Sequence, residues 1–207
     1  MSMPQKDARL RTIAVDIDDV LAISAQALVD YSNTRWGTRL TVEDYDEDWG
    51  KMWQVDLEEE RRRSDEWHVS GGIVNKSPKE EGLSVLQHLS SKYRLVIATS
   101  RRKIIQEDTR LWIEKHYKGI FSEIHYSGIW DERLPNSHAL TKAQLCREIG
   151  ADYLIDDQVK HCLGAAEAGV EALLFGDYKW NREVDLPRGV IRVKDWPAVK
   201  EYFDARS

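Results

Sequence analysis

Acidic residues cluster directly after two apolar segments of this chain. Asp16, Asp18 and Asp19 follow T-I-A-V, and Asp156 and Asp157 follow Y-L-I. Carboxylates that share one site are costly, because two unit charges ~4 Å apart repel by about 4 kcal/mol at an effective dielectric of 20. A hard cation with oxygen ligands relieves that repulsion, and Mg²⁺ is the usual one where a phosphate supplies further oxygens. The sequence therefore predicts Mg²⁺ as a cofactor.

Further polar residues complete a set suited to phosphoryl transfer, which needs an in-line nucleophile and donors for the phosphate oxygens. Asp16 is the candidate nucleophile, since its carboxylate could attack phosphorus and form an aspartyl-phosphate. Asp18 could protonate the leaving oxygen and later deprotonate the attacking water. The candidate phosphate-binding residues are Thr99, Ser100 and Lys142.

Apolar, β-branched segments alternate with amphipathic ones, which predicts an α/β fold with a parallel sheet and helices on both faces. We predict strands at 12–17, 94–99, 123–126, 152–156, 171–175 and near 189–193. We predict helices at 24–36, 78–91, 103–117, 139–149, 158–168 and about 195–203. Ligands bind such sheets at the carboxyl ends of the strands. The polar residues can therefore converge on one edge if the first strand lies centrally.

The segment 22–77 interrupts this alternation and is rich in acids, arginines and tryptophan. We predict that it forms a small helical cap inserted after the first strand, with residues 1–21 and 78–207 as the core domain. Ser24 is a candidate N-cap residue, and Thr41 begins a T-V-E-D capping pattern.

The tryptophans of the insert have two interpretations. They are Trp36, Trp49, Trp53 and Trp67. Packing of the cap onto itself is the simpler one, and stacking on a nucleobase is the alternative. The run Arg61, Arg62 and Arg63 is expected to form a solvated helix face, with a phosphate contact as its alternative.

The polar residues together resemble the motifs of the haloacid dehalogenase-like (HAD) hydrolase superfamily. The matching positions are D-I-D-D-V at 16–20, Thr99 after V-I-A, Lys142, and Asp156-Asp157 after a hydrophobic strand. The resemblance implies a Rossmann-like core, magnesium and a phosphoaspartate intermediate. It also implies a metal held by the Asp16 side chain, the Asp18 backbone carbonyl and the Asp156 carboxylate, with Asp157 helping to position it. Asp18 distinguishes the chain from dehalogenases, which lack an acid there, and leaves a phosphatase or phosphotransferase.

The position of the cap and two longer stretches look like the 5′-nucleotidase, or deoxyribonucleotidase type C, branch of this superfamily. The stretches are R-W-G-T-R-L-T-V-E-D-Y and L-I-D-D-Q-V-K-H-C-L-G-A-A-E-A-G-V. The resemblance implies a phosphatase for a small phosphorylated metabolite, with a nucleoside monophosphate as the favoured substrate. The alternatives are a sugar phosphate or a phosphoprotein as substrate, phosphotransfer to a second alcohol, and binding of a phospholigand without catalysis.

Each of these residues also has an ordinary structural interpretation. Acids after a strand are often solvated or cap the next helix, as Thr99 could, and a lysine such as Lys142 is common on surfaces. A calcium loop is disfavoured because Leu21 stands where that loop needs glycine. The order of all four motifs favours function over these alternatives. The six histidines show no metal spacing and no obvious acid partner, so structural roles are expected for them.

The charge and composition of the chain limit the classes of binding partner and the compartment that we expect. The net charge of −6 disfavours binding to a nucleic-acid polymer or a membrane surface. No apolar stretch approaches the roughly 20 residues that span a bilayer, and no signal peptide is expected at the N-terminus. Cys146 and Cys162 are expected to be buried helix residues with free thiols, which predicts a cytoplasmic protein. A homodimer is left open.

Overall fold

Six parallel strands form one sheet at the centre of the protein. The computed structural model describes residues 10–129, 139–182 and 184–206. The strands are β1 (Thr12–Val15), β2 (Arg94–Thr99), β3 (Ile124–Tyr126), β4 (Tyr153–Asp156), β5 (Glu171–Phe175) and β6 (Val190–Val193). They lie in the order β3-β2-β1-β4-β5-β6. The prediction of a parallel α/β sheet with a central first strand is confirmed, although β1 ends at Val15, before the predicted residue 17.

The described part of the chain forms eight α-helices. They are α1 (Ser24–Trp36), α2 (Trp49–Trp53), α3 (Leu57–Val69), α4 (Glu80–Ser90), α5 (Gln106–His116), α6 (Lys142–Ile149), α7 (Val159–Glu167) and α8 (Trp196–Asp204). Helices α4, α5 and α8 cover one face of the sheet, and α6 and α7 cover the other. The predicted arrangement of helices on both faces is therefore present.

Alternate residues of each strand pack on opposite faces of the sheet, because successive side chains of a β-strand point to opposite sides. Ile13 and Val15 of β1 pack in the cluster that contains Trp112, whereas Ala14 packs with Cys146 and Cys162 on the opposite face. Both cysteines are buried, free thiols on helices, as predicted. Burial on both faces explains why the strands read as continuous apolar runs.

The segment 22–77 begins and ends at two stretches of backbone that lie side by side. Ala22 forms isolated β-bridges with both Asp18 and Pro78. The Ile23 N–H donates to the carbonyl of Ser77 at 2.9 Å, and the Lys79 N–H donates to the carbonyl of Leu21 at 2.7 Å. The intervening residues form α1, a short 3₁₀ turn at Val42–Asp44, α2 and α3.

These helices pack around a small apolar cluster of their own. Its buried members include Leu28, Met52, Trp53, Trp67 and Ile73. The Trp53 indole N–H donates to the Ser32 hydroxyl at 3.0 Å. Packing is thus the structural role of Trp53, as it is of Trp36, whose ring meets the Trp53 ring edge-on at 5.0 Å.

One of the two predicted helix caps is present and the other is wrong. Both the N–H and the hydroxyl of Thr41 donate to the Asp44 carboxylate at 2.8 Å, which completes the predicted capping pattern on the 3₁₀ turn. Ser24, in contrast, is the first residue of α1 and does not cap it. The Asp19 carboxylate takes that role, because it accepts from the N–H groups of Ser24 at 3.0 Å and Ala25 at 3.1 Å.

Within the described ranges, no helix is both long and apolar enough to cross a membrane. Residues 1–9, to which the expectation about a signal peptide refers, lie outside those ranges.

Two helical glycines allow a matched test of packing. A Cβ added at Gly82 of α4 would lie 2.8 Å from the Trp196 indole nitrogen, whereas one at Gly164 of α7 would lie 3.5 Å from the Ala143 Cβ. Because Trp196 is fully buried and its ring cannot swing aside, we expect Gly82→Ala to destabilise the protein by about 1–3 kcal/mol. Gly164→Ala should stabilise it by up to about 1 kcal/mol through helix propensity. Urea unfolding of both variants measures this, and equal effects would contradict the packing argument.

Candidate active site

The carboxyl ends of the three central strands bring the predicted residues to one edge of the sheet. Asp16 follows β1, Asp156 is the last residue of β4, and Thr99 is the last residue of β2. The Asp16 N–H donates to the carbonyl of Ile155 at 2.9 Å, which continues the β1–β4 pairing beyond the strand. This extension places the Asp16 and Asp156 side chains next to each other.

Lys142 joins these two carboxylates. Its ammonium donates to Asp16 Oδ1 and to Asp156 Oδ2, both at 2.7 Å, and its side chain is 1% exposed. Thr141 fixes the start of α6 with a capping box, since it exchanges hydrogen bonds with Gln144. Lys142 is therefore the first residue of a well-capped helix whose end faces the sheet edge, and it is not a surface lysine.

The carboxylates at this edge of the sheet differ from one another in pKa. Burial raises the pKa of Asp16 to about 6, against the opposing charge of Lys142. Burial also raises the pKa of Asp157 well above its usual range, and the neighbouring Asp156 adds to this. Burial acts on Asp156 in the same direction, but Lys142 and His161 outweigh it and hold the pKa of Asp156 low.

Three of these acids fit a metal ion. One oxygen from each of Asp16, Asp156 and Asp157 lies within 4.8 Å of the others, and all three residues are buried. Lys142 supplies one positive charge to this group. A hard divalent cation would neutralise the remaining charge, and oxygen ligands suit Mg²⁺.

Asp18 lies in a different setting, held by two cations. The Arg101 guanidinium donates from Nε to Asp18 Oδ2 at 2.9 Å and from Nη2 to Oδ1 at 2.8 Å. Lys76 Nζ lies 2.9 Å from Oδ1, which also accepts from the Ser24 hydroxyl. Burial would raise the pKa of Asp18, but the charges of Arg101 and Lys76 hold it well below its usual range.

The two predicted phosphate-binding residues on β2 and after it differ in exposure. Thr99 is fully buried, and its hydroxyl oxygen accepts from the Arg101 N–H at 3.2 Å. Ser100 lines the cavity that opens over Asp16. Thr99 thus lies beneath the site and orders the turn that carries Ser100 and Arg101.

Residues after β5 support Asp157 and Asp19. The Trp180 indole N–H donates to Asp157 Oδ2 at 2.7 Å, and the Asn181 side-chain amide donates to the Asp157 carbonyl at 2.9 Å. The Tyr178 hydroxyl donates to the Asp19 carbonyl at 2.6 Å. The Asp19 backbone has φ 57°, a left-handed conformation that this contact and the capping of α1 hold in place.

The expectation that the histidines lack acid partners is wrong for His88 and His125, which pair with Asp204 and Glu123, and for His161 in the candidate site. The Nδ1 of His161 lies 3.0 Å from Asp156 Oδ1, at the start of the helix that follows β4. The segment D-D-Q-V-K-H contained the relevant pattern, since the fifth residue after a strand-end acid can turn back on it from the first turn of the next helix. Arg101 and Lys76 also escaped prediction, because their partner Asp18 is far away in the sequence.

A cavity of about 1020 Å³ lies between this edge and the inserted helices. On the core side it is lined by Asp16, Asp18, Ser100 and Arg101, among others, and on the insert side by Trp49, Arg61, Trp67 and His68. Arg61 and Arg62 are both exposed, and Arg61 is the member of the arginine run that lines the cavity. Arg62 instead pairs with Glu59 and Glu66, and Arg63 lies over the Trp36 ring at 5.0 Å.

Solved structures with this fold are hydrolases of the HAD superfamily. A haloacid dehalogenase-like family hydrolase from Streptococcus pneumoniae is 19% identical, with 94% of this chain and 98% of that chain covered and a TM-score of 0.69. A predicted phosphatase from Clostridium acetobutylicum is 15% identical, with 96% and 100% covered and a TM-score of 0.67. A protein described as a HAD-hydrolase from Bacillus subtilis, bound to magnesium, is 12% identical, with 95% and 100% covered and a TM-score of 0.61.

This chain has the HAD fold. Haloacid dehalogenases share it as well, so the fold alone does not choose the reaction. No protein-family model matches the sequence, and a search of curated proteins finds no match. The choice of reaction must therefore come from the side chains of the site.

Lys142 offers a test of the electrostatics at the sheet edge. Lys142→Met leaves Asp16 and Asp156 without their shared cation, so we expect a destabilisation of about 3–5 kcal/mol at pH 8 in EDTA. The cost should shrink at pH 5, because loss of the ammonium raises the pKa of Asp16 further and a proton then replaces the missing charge. Urea unfolding at both pH values measures this.

The matched control is Lys118→Met, at a lysine whose side chain is 80% exposed. This variant should unfold like the wild type at both pH values. A Lys142→Met variant as stable as the control at pH 8 would show that the carboxylates do not depend on the lysine.

Proposed function

We propose that this protein is a magnesium-dependent phosphomonoester hydrolase that acts through an aspartyl-phosphate on Asp16. The observation that carries the proposal is the ammonium of Lys142 held at 2.7 Å from both Asp16 and Asp156 at the carboxyl ends of two central strands. A buried cation in that position can both orient a carboxylate nucleophile and attract a phosphate. The acid at Asp18 favours a phosphatase over a dehalogenase.

In the first step, an Asp16 carboxylate oxygen forms a bond to phosphorus while the bond from phosphorus to the leaving oxygen breaks. In the free protein Arg101 and Lys76 keep Asp18 ionised, so Asp18 first takes up a proton, which the negative charge of the bound phosphate favours. Asp18 then gives this proton to the leaving oxygen, and an alcohol departs. In the second step, water attacks the same phosphorus and Asp18 takes the proton from the water. The Asp16–phosphorus bond breaks, and inorganic phosphate and the original carboxylate are restored.

Neighbouring groups hold the phosphate during both steps. Lys142 and the hydroxyls of Thr99 and Ser100 are the donors proposed for its oxygens. The Thr99 oxygen also accepts from the Arg101 N–H and so supports the turn on which Ser100 lies. Asp16, Asp156 and the Asp18 backbone carbonyl would hold Mg²⁺, with Asp157 positioning it. The bound ion supplies charge neutralisation of the phosphate oxygens.

Residues 22–77 act, in this proposal, as the cap that selects the leaving group, as in the 5′-nucleotidase branch. A nucleoside monophosphate is the favoured substrate. The support is that Trp49 and His68 both line the cavity and that their rings stack, with centroids 5.8 Å apart and an angle of 27° between the planes. Burial, followed by the charge of Arg102, lowers the pKa of His68 to about 4, so the ring is neutral at pH 7 and suits an uncharged ring as neighbour. The free thiols Cys146 and Cys162 support the cytoplasm as the compartment.

Phosphate release from a panel of monophosphates, with p-nitrophenyl phosphate included, tests the proposal. We expect turnover with Mg²⁺ and none in EDTA. Asp16→Asn should abolish turnover, because an amide cannot replace the nucleophile. Asp18→Asn should lower kcat by about 10²–10⁴-fold, the usual contribution of a general acid–base.

Asp30→Asn is the matched control, since Asp30 is an exposed acid on α1 that accepts a hydrogen bond from the Gln26 side-chain amide. It should retain wild-type rates. Undiminished turnover in Asp16→Asn would falsify the mechanism. Turnover confined to sugar phosphates or phosphopeptides would keep the mechanism and reject nucleotides as substrates.

A further inference from the structure

We propose that Arg101 and Lys76 are positioning residues that fix the carboxylate of Asp18. This inference rests on the proposed function, because it concerns the residue that would carry the proton. The observation behind it is that two buried cations converge on one acid.

Arg101 fixes the plane of the Asp18 carboxylate. Its Nε and Nη2 contact one oxygen each, which is the fork geometry that gives an arginine–carboxylate pair its directional specificity. The guanidinium is itself held, because Nη1 donates to the Thr109 hydroxyl of α5 at 3.3 Å. The Arg101 side chain is 3% exposed and that of Asp18 is 35% exposed. Both side chains line the cavity, and the acid is the more accessible of the two.

Lys76, which lies at the end of the insert, is the second cation that contacts Asp18. Its ammonium lies 2.9 Å from Asp18 Oδ1 and 3.1 Å from the Ser24 hydroxyl. Lys76 Nζ also lies 5.8 Å from the centre of the Trp67 ring on α3. The Lys76 carbonyl accepts from the Trp112 indole of the core at 2.8 Å.

Lys76 is thus attached to both parts of the protein. Its backbone is fixed to the core by Trp112, and its side chain contacts Ser24 of α1 and Trp67 of α3. Asp18 is therefore held by two cations that come from separate parts of the chain.

A leaving-group comparison separates positioning of a proton carrier from general support of the fold. The leaving group of p-nitrophenyl phosphate departs with little help from an acid, whereas that of an alkyl monophosphate needs a proton. Single-turnover rates are measured for both, so that only formation of the aspartyl-phosphate is compared. For Arg101→Met we expect the alkyl rate to fall by about 10²-fold or more and the p-nitrophenyl rate by less than about tenfold.

Further variants make the assignment specific. In an Asp18→Asn background, Arg101→Met should cause no further loss, because a residue that acts through Asp18 has nothing left to position. Lys76→Met should show the same selective loss of the alkyl rate. Arg101→Lys keeps the charge without the fork and carries the test if Arg101→Met unfolds below the assay temperature. Arg110→Met, at an exposed arginine of α5 paired with Glu107, should leave both rates unchanged.

Equal losses on the two substrates, or a further loss in the Asp18→Asn background, would overturn the proposal and point to a direct contact of Arg101 with the phosphate. A wild-type protein that hydrolyses neither of these substrates nor any other monophosphate of the panel would refute the proposed function itself. A wild type that hydrolyses both, with variants that keep its preference, would refute only the positioning role.

Discussion

Repulsion among carboxylates at one end of the sheet is the constraint on which the rest of the structure depends. Parallel pairing of β1 with β4 brings Asp16 and Asp156 together, and Asp18, Asp19 and Asp157 follow within three residues. Buried carboxylates persist only where something compensates their charge. The elements around the sheet edge can be understood as the sources of that compensation.

Each acid is compensated by a different part of the chain. The start of α6 provides Lys142 for Asp16 and Asp156, and the start of α1 provides backbone N–H groups for Asp19. The turn after β2 provides Arg101 for Asp18, and the segment after β5 provides Trp180 for Asp157. Because the sources are separate, the acids differ in pKa although they lie side by side: the pKa of Asp16 is raised and that of Asp18 is lowered.

The sequence was sufficient for the sheet and for the principal acids because both depend on local patterns. Apolar runs such as R-L-V-I-A-T predicted strands within a residue or two, and the acids that follow them were placed by the rule that parallel strands end at one edge. Lys142 was predicted from its place in a motif. Its bridging of two carboxylates needed the position of α6 against the sheet.

The residues that escaped prediction act across long stretches of sequence. Arg101 and Lys76 meet Asp18 over separations of 83 and 58 residues, and no local pattern marks such a pair. Ser24 was assigned to a helix cap because of its type and place. Asp19 of the preceding turn instead accepts from the N–H groups of Ser24 and Ala25, and the Ser24 hydroxyl donates to Asp18. Local preference was overridden there by a tertiary contact.

The side-by-side passage of the chain at Ala22 and Pro78 has a consequence for how such a protein can diversify. The two ends of the insert are already joined by backbone hydrogen bonds. The geometry at which the insert meets the core is therefore the same whatever sequence lies between the two ends. The entropy of closing a loop grows only slowly with its length. An ancestor could therefore exchange, lengthen or shorten this segment while the sheet and its acids stayed intact. Contacts such as that of Lys76 limit this freedom, since each new insert would have to return a cation to the same place.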